Sequence, residues 1–407
     1  MSRSDRAAKR ARHGTSRPGS TALRTVAAVT AGIVGFAIVY GVTNVELLQH
    51  SVTTKDIGSL VGEPSDTPVA SVSASASATA AANPADAEAG KDINILLIGS
   101  DSRAGKTNSK IGGYVSGMRS DTTIIMHISA DRSRIDFLSI PRDMRVTIPT
   151  CSFFNGKTIR GWTGKFNVAF ANGGSHGNES EGAACTMKTV QNLTGIKFDH
   201  YAVIDFAGFE KMISAVHGVP MCVPEAINDR RSGLHLKAGA QVLSGKNALA
   251  FARVRHIGDG TDLQRIKRQQ ELIDNLAKKV LGMNVLTSVP QLTQLLKAAG
   301  QSMTMDPKLG SFTYLAGLGY SLRNINQDNM NFMTVPWMYA GDKSGDVLAT
   351  ADAKIVYKRI KNDIPMNGGK SQPVATSPSP GATDGSSTSP TPVRQTQKEI
   401  LAACKGA

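Results

Sequence analysis

Apolar residues recur along this chain at two spacings, and the alternation between them outlines an α/β domain. The run "INILLIG" (Ile93–Gly99) is short, unbroken and closed by Gly and Asp, as a buried strand is. "DTTIIMHIS" and "RIDFLSIP" are two more such runs separated by "ADRS", which predicts a hairpin. "DHYAVIDF" predicts a strand, and "AGFEKMISAVHG" a helix closed by Gly218. "TDLQ" (Thr261–Gln264) has the form of a capping box, and a helix is predicted from there to about Leu281. Along it Leu263, Ile266, Ile273, Leu276, Ala277 and Val280 fall on one stripe, as an amphipathic helix requires. Strands mixed with helices argue for an α/β sandwich.

Outside this region the pattern changes. Thr25 to Val45 carries no charge, and about 20 apolar residues suffice for a helix to cross a bilayer; a cleaved signal peptide, whose apolar core is usually only about 7–15 residues, is the rival reading. Ser65 to Gly90 and Gly368 to Gln397 are rich in Ser, Pro and small residues and lack the apolar content for a core. The expected organisation is a basic cytoplasmic tail over 1–24, a transmembrane helix over 25–45 and an extracytoplasmic linker over 46–91. One catalytic domain follows over 92–365, and a disordered low-complexity tail over 366–407.

Charge sharpens this picture. The 407 residues carry a formal net charge of +14. Residues 1–24 hold seven basic side chains against Asp5, a net +6, which keeps that end in the cytoplasm. The domain is then extracytoplasmic on a single-pass anchor in the cell membrane. That location weighs against nucleic acid and permits disulfides. Cys151 and Cys185 bracket one loop-rich segment and are the expected bridge; Cys222 and Cys404 are left as free, paired together or paired with a partner protein. No phosphate loop with its Lys and no zinc-spaced Cys/His cluster occurs.

The candidate chemistry lies at strand ends. If Ser129 faces Arg134 across the hairpin turn, Asp121 lies opposite Arg142, with Arg119 and Met144 just beyond. Asp101 follows the first strand, where α/β folds place ligand sites. Paired Asp carboxylates suit a hard divalent cation such as Mg²⁺, and Arg forks grip phosphate oxygens. A metal–pyrophosphate complex satisfies both groups. The plain alternative is a surface ion pair, worth only about 0–1 kcal/mol. The window Phe251–Gln270 adds Arg253, Arg255, Arg265, Lys267 and Arg268. At about 100° per residue, Arg265 and Gln269 share a helix face, Arg268 lies further round, and Lys267 points away. In an extended "RVR", Arg253 and Arg255 would point to one side.

At this point the chain resembles a known family, the LytR-CpsA-Psr proteins of Gram-positive cell walls. The resemblance rests on "INILLIGSDSR", "GMRSDTTIIMHI", "DFLSIPRDMRVTIP", "GKFNVAFANGG", "VIDFAGFEKMISAVHGV" and "LSGKNALAFARVRH…TDLQRIKRQQ", in that order, with a weaker match at "FMTVPW". It implies an α/β/α sandwich around a mixed sheet, Mg²⁺ as cofactor, and an apolar pocket for a lipid. The implied activity is transfer of a phosphorylated glycopolymer from a polyprenyl-pyrophosphate carrier to peptidoglycan. By motif, Asp101 and Asp121 are implied as metal-associated carboxylates that act in catalysis with Arg119 and Arg142. Lys165, Arg253, Arg255, Arg265, Arg268 and Gln269 are implied as the pyrophosphate-binding set. Family members with a Cys at the Cys222 position often have a second where this chain has Ala240, so a bridge from Cys222 departs from the family pattern. A lipid-carrier pyrophosphatase and a non-catalytic wall or transcriptional regulator are the competing readings.

Overall fold

The computed structural model describes residues 53–62, 85–102, 108, 118–230, 232–254, 262–282, 303–323, 325–368 and 404. The elements used below begin with strands β1 (Thr53–Thr54), β2 (Ile93–Ser100), β3 (Ser120–Ile128), β4 (Ile135–Ile140), β5 (Arg145–Ile148) and β6 (Trp162–Lys165). Next come helix α1 (Glu179–Thr194), strand β7 (His200–Ile204), helix α2 (Phe206–Ala215) and strands β8 (Val219–Val223) and β9 (Gly239–Leu243). Helices α3 (Gly245–Arg253) and α4 (Asp262–Gly282), strand β10 (Met303–Met305) and helix α5 (Phe312–Ser321) follow. Strands β11 (Met330–Thr334), β12 (Trp337–Tyr339) and β13 (Val347–Ala349) lead to helix α6 (Ala351–Lys361).

Side chains alternate across β2 because successive residues of a strand face opposite ways. Ile93 and Ile95 pack into one cluster with Tyr314 and Leu318 of α5 and Ile273 of α4. Leu96 and Ile98 pack into another with Ala183, Met187 and Val190 of α1 and Val356 and Ile360 of α6. Both faces of the sheet are therefore covered by helices, which is why its strands read as near-continuous apolar runs. Each fully buried Ile or Leu contributes about 1.5–3 kcal/mol through water exclusion.

The sheet has seven strands in the order β1-β10-β7-β2-β3-β4-β11. It is mixed: β7 runs parallel to β2 and β11 parallel to β4, whereas β2, β3 and β4 are antiparallel neighbours. The hairpin has the expected register, with Thr123 opposite Ile140 and Ser129 N–H bonded to Arg134 O. A third cluster lies to one side, where the β8–β9 hairpin packs on α2, α3 and α4 through Ile213, Met221, Leu243, Phe251 and Leu272.

The spacer expected over 46–91 contributes two pieces to this fold. Thr53–Thr54 pairs with β10 as an edge strand, and Ile57, Leu60 and Val61 enter the core. Asp86 forms an ion pair with Arg132 at 2.8 Å, and Arg132 also donates to Glu88 O and Lys91 O. Three apolar residues and one short edge strand are too small a signal to stand out in a Ser/Ala-rich sequence. Met366 and Asn367, in the segment expected to be a tail, are likewise buried.

Cys151 and Cys185 form the expected bridge. Cys222 is bonded to Cys404, one of the three options left open. Ala240, which the family pattern would replace with Cys, sits directly across the ladder from Cys222. Among the described residues no helix is long and apolar enough to cross a membrane; the span expected over Thr25–Val45 lies outside them.

Candidate functional site

A cleft of about 900 Å³ opens where β2 ends and β3 begins, bounded by the sheet and by α2, α3 and α4. The chain leaves β2 through Asp101, whose N–H donates to Arg119 O at 2.9 Å. Arg119 N–H returns a bond to Asp101 Oδ1 at 2.5 Å. The two residues lock each other in place. On β3 the register steps from Gly99 opposite Thr122 to Ser100 opposite Ser120, which leaves Asp121 as the extra residue of a β-bulge. Bulges re-aim a side chain, and this one sits beside the cleft. Asp121 Oδ1 accepts from Arg142 Nη1 at 3.0 Å, so the pair expected from the hairpin register is formed.

Arg142 has a second partner, Asp143, whose Oδ2 lies 3.3 Å from Nε. Asp143 Oδ1 in turn accepts from Lys165 Nζ at 2.9 Å, and Lys165 also reaches Asp346 at 3.3 Å. Lys165 lines the cleft while held between two carboxylates. Burial pulls its ammonium down, but Asp143 and Asp346 more than reverse that, and it titrates above the usual lysine value. Burial pushes the Asp346 carboxyl up, but Arg145 and Lys165 outweigh it and hold it below its usual value. The favourable contribution of a depressed carboxylate is present above its unfolded pKa and disappears as pH falls through the lower folded value. The β12–β13 hairpin, latched to Arg145 through Asp342 and Asp346, is therefore expected to loosen below about pH 4. Hydrogen-exchange protection of the Ala340 and Val347 amides reads this directly, and unchanged protection at pH 3 would contradict it.

Helix α4 supplies the opposite wall. Arg265 and Gln269 lie one turn apart on the face toward β3. Arg265 Nη2 donates to Asp121 O at 3.4 Å, and Gln269 bonds Thr122 Oγ1 at 2.9 Å and Ala252 O at 3.1 Å. Arg268, expected in the pyrophosphate set, does not line the cleft. Its Nη2 donates to Val254 O at 2.5 Å and ties α4 to the end of α3. The helical rotation from Arg265 to Arg268 is enough to turn it away. Arg253 lines the cleft, but not from an extended segment: it is the last residue of α3, stacked on the Phe206 ring at 4.3 Å. Arg255 lies outside the described residues.

The two ends of the cleft differ in chemistry. Asp101, Arg119, Asp121, Arg142, Asp143, Lys165, Arg253 and Arg265 gather at one, and Leu97, Ile124, Phe209, Met212, Leu249 and Leu276 form the other. Ile273 and Leu276 of the predicted α4 stripe line this wall while also packing into the second and third clusters.

The profile of the LytR_cpsA_psr family matches residues 63–363. The chain belongs to that family. It is 30% identical over 273 residues to the cell wall biosynthesis protein LcpA of Corynebacterium glutamicum, covering 62% of this chain and 51% of LcpA. It is also 30% identical over 246 residues to the regulatory protein MsrR of Staphylococcus aureus, covering 60% of this chain and 64% of MsrR. The chain thus spans less than two thirds of the length of these relatives. Protein gbs0355 of Streptococcus agalactiae superposes with a TM-score of 0.54 at 25% identity, covering 67% of this chain and 88% of that one. TagV of B. subtilis superposes at 0.50 with 24% identity, over 68% and 98%, and shares the fold.

For a LytR_cpsA_psr protein the donor set at the charged end fits Mg²⁺. Asp101 and Asp121 offer hard oxygen donors on one wall. No group of three or more His, Cys, Asp or Glu able to hold a metal occurs among the described residues. A divalent ion here would draw its remaining ligands from water and phosphate oxygens, which is how Mg²⁺ is commonly held. Sequence reasoning missed Asp143 and Phe206. Asp143 is adjacent to Arg142 in "PRDMR", so its proximity was readable although its bond to Lys165 was not. Phe206 reads as an ordinary apolar residue until α3 brings Arg253 onto it.

Proposed function

We propose that the chain transfers a phosphorylated glycopolymer from a polyprenyl-pyrophosphate carrier to a peptidoglycan hydroxyl, with Mg²⁺, outside a membrane to which 25–45 anchors it. The observation that carries this reading is the cleft's division into a charged end, where Arg119, Arg142, Lys165, Arg253 and Arg265 meet Asp101, Asp121 and Asp143, and an apolar end. A lipid diphosphate has the same two parts: a polyanionic head and a greasy tail. The name of LcpA, a cell wall biosynthesis protein, supports the same cellular process.

In the proposed reaction the acceptor hydroxyl oxygen forms a bond to the glycan-bearing phosphorus. The anhydride bond to the second phosphate breaks, and polyprenyl phosphate leaves. Arg142, Arg253 and Arg265 hold the diphosphate oxygens and neutralise charge as it moves to the leaving phosphate. Asp101 and Asp121 would hold the metal, which supplies Lewis-acid stabilisation of phosphate oxygens. The acceptor proton passes to one of the same carboxylates. The apolar wall keeps the prenyl chain in place and water out, so the hydroxyl of the second substrate is favoured as nucleophile.

Incubation with Mg²⁺, lipid-linked glycan and peptidoglycan is expected to give a phosphodiester-linked product. Release of free phosphorylated glycan in its place would identify a hydrolase and contradict transfer. The Arg253 guanidinium lies over the Phe206 ring at 4.3 Å, and such a contact is worth about 0.5–2 kcal/mol. Phe206→Leu is therefore expected to raise the donor KM about two- to thirtyfold, with Phe206→Trp near wild type. Equal KM values for all three proteins would show that the stack does not position Arg253.

A further inference from the structure

Beside the Asp101 turn lies a carboxylate that the proposed mechanism does not use. Glu179 is the first residue of α1, whose N-cap Asn178 accepts from Ser180 N–H at 2.9 Å. Its side chain reaches back to the end of β2. Oε1 accepts from Ser100 Oγ at 3.3 Å, the Ser102 hydroxyl also donates to the carboxylate, and Oε2 accepts from Thr304 Oγ1 of β10 at 3.5 Å. Ser102 N–H donates to Ser100 Oγ at 3.0 Å, which closes the turn on itself. Ser100 and Ser102 are 1% and 2% exposed. Between them is Asp101, locked on its other side by two bonds to the Arg119 backbone.

We infer that Glu179 is a positioning residue for the cleft: by clamping both serines that flank Asp101, it fixes the direction in which the Asp101 carboxylate points. The inference rests on the reading of Asp101 as a metal-associated carboxylate. Burial raises the Glu179 carboxyl above its usual value and the nearby Asp205 carboxylate adds to the rise, while the three hydroxyls offset part of it. Burying a carboxylate beside another acid costs free energy that its three hydroxyl donors offset only in part. Groups held at such a cost cluster at functional sites. The geometry supplies the use here. Three hydroxyls from β2, its following turn and β10 converge on one side chain, and the helix that carries it is packed against the sheet. The Asp101 turn therefore cannot rotate without breaking that set.

The test is Mn²⁺ binding to the full-length protein, read from the free-ion signal in electron paramagnetic resonance, together with thermal melting. Loss of partners behind a metal ligand typically costs about 10–100-fold in metal affinity. Glu179→Ala is expected to raise the Mn²⁺ Kd at least about tenfold while the protein still melts cooperatively. Glu179→Gln, which keeps the shape and an acceptor oxygen, is expected to stay within about threefold of wild type. A folded Glu179→Ala protein that binds Mn²⁺ as wild type does overturns the inference, as does a Gln variant as damaged as the Ala variant. Should Glu179→Ala not fold, the Ser100→Ala, Ser102→Ala double variant carries the same expected and overturning results. Asp101→Asn separates the two layers of the account. If it weakens Mn²⁺ binding and Glu179→Ala does not, only the positioning role falls. If Asp101→Asn binds unchanged, the metal reading falls and the inference with it.

Discussion

Arg142→Ala is expected to lower kcat/KM for glycopolymer transfer by about 10²–10³-fold, the usual cost of removing one preorganised donor from a developing anion. Two consequences act together. The phosphate loses a guanidinium, and Asp121 and Asp143 both lose the cation that lies 3.0 and 3.3 Å from them. Two carboxylates then face an incoming diphosphate, and like charges repel it. Arg142→Lys is expected to recover only part of the loss, because an ammonium restores charge but cannot bridge two carboxylates with a fixed fork. Asp121→Ala should do at least as much damage, since it removes a proposed metal carboxylate and leaves Arg142 with one fewer partner. Steady-state transfer assays with each purified variant check this; rates within threefold of wild type for both would remove the cationic end from the mechanism.

Loss of the Cys151–Cys185 bridge carries a large expected effect on stability. The bridge closes a loop of 34 residues, for which chain entropy alone gives about 4 kcal/mol. Both cysteines are 2% exposed and belong to the cluster between the sheet and α1. The neighbouring backbone is close as well: a Cβ at Gly173 would come within 2.7 Å of the Cys185 Cβ. The Cys151→Ser, Cys185→Ser protein is therefore expected to melt on the order of 10 °C lower by calorimetry. Wild type measured in reductant loses the Cys222–Cys404 bridge as well and should fall by at least as much. Since α1 begins at Glu179, loosening it also loosens the support of the Asp101 turn. An unchanged Tm would mean that packing alone holds α1 in place.

Much of the site was legible in the sequence because it is built from local rules. The hairpin turn set the register, and the register put Asp121 beside Arg142. Helical periodicity put Arg265 and Gln269 on one face. The parts that failed depend on nonlocal contact or on where a helix stops. The segment "FARVRH" reads as extended by alternation, yet α3 runs through Arg253 and ends only at Val254, so alternation does not decide where Arg253 points. Arg268 looks equivalent to Arg265 by charge, and only the path of the chain at Val254 shows what it holds. The fold shows the same division. β2, β3 and β4 announce themselves as apolar runs, whereas β10, with three residues, and β1, with two, become strands only because the sheet edge is there to receive them.

One cleft is expected to hold a metal-bound diphosphate at its charged end and a prenyl chain at its apolar end. The most direct measurement is a crystal structure with Mn²⁺ and a short-chain polyprenyl pyrophosphate, with the metal located by anomalous scattering. The predicted result is an anomalous peak bonded to Asp101 and Asp121, phosphate oxygens within hydrogen-bond reach of Arg142 and Arg253, and the prenyl chain against Phe209 and Leu276. A diphosphate bound elsewhere, or a metal peak away from both carboxylates, would contradict it.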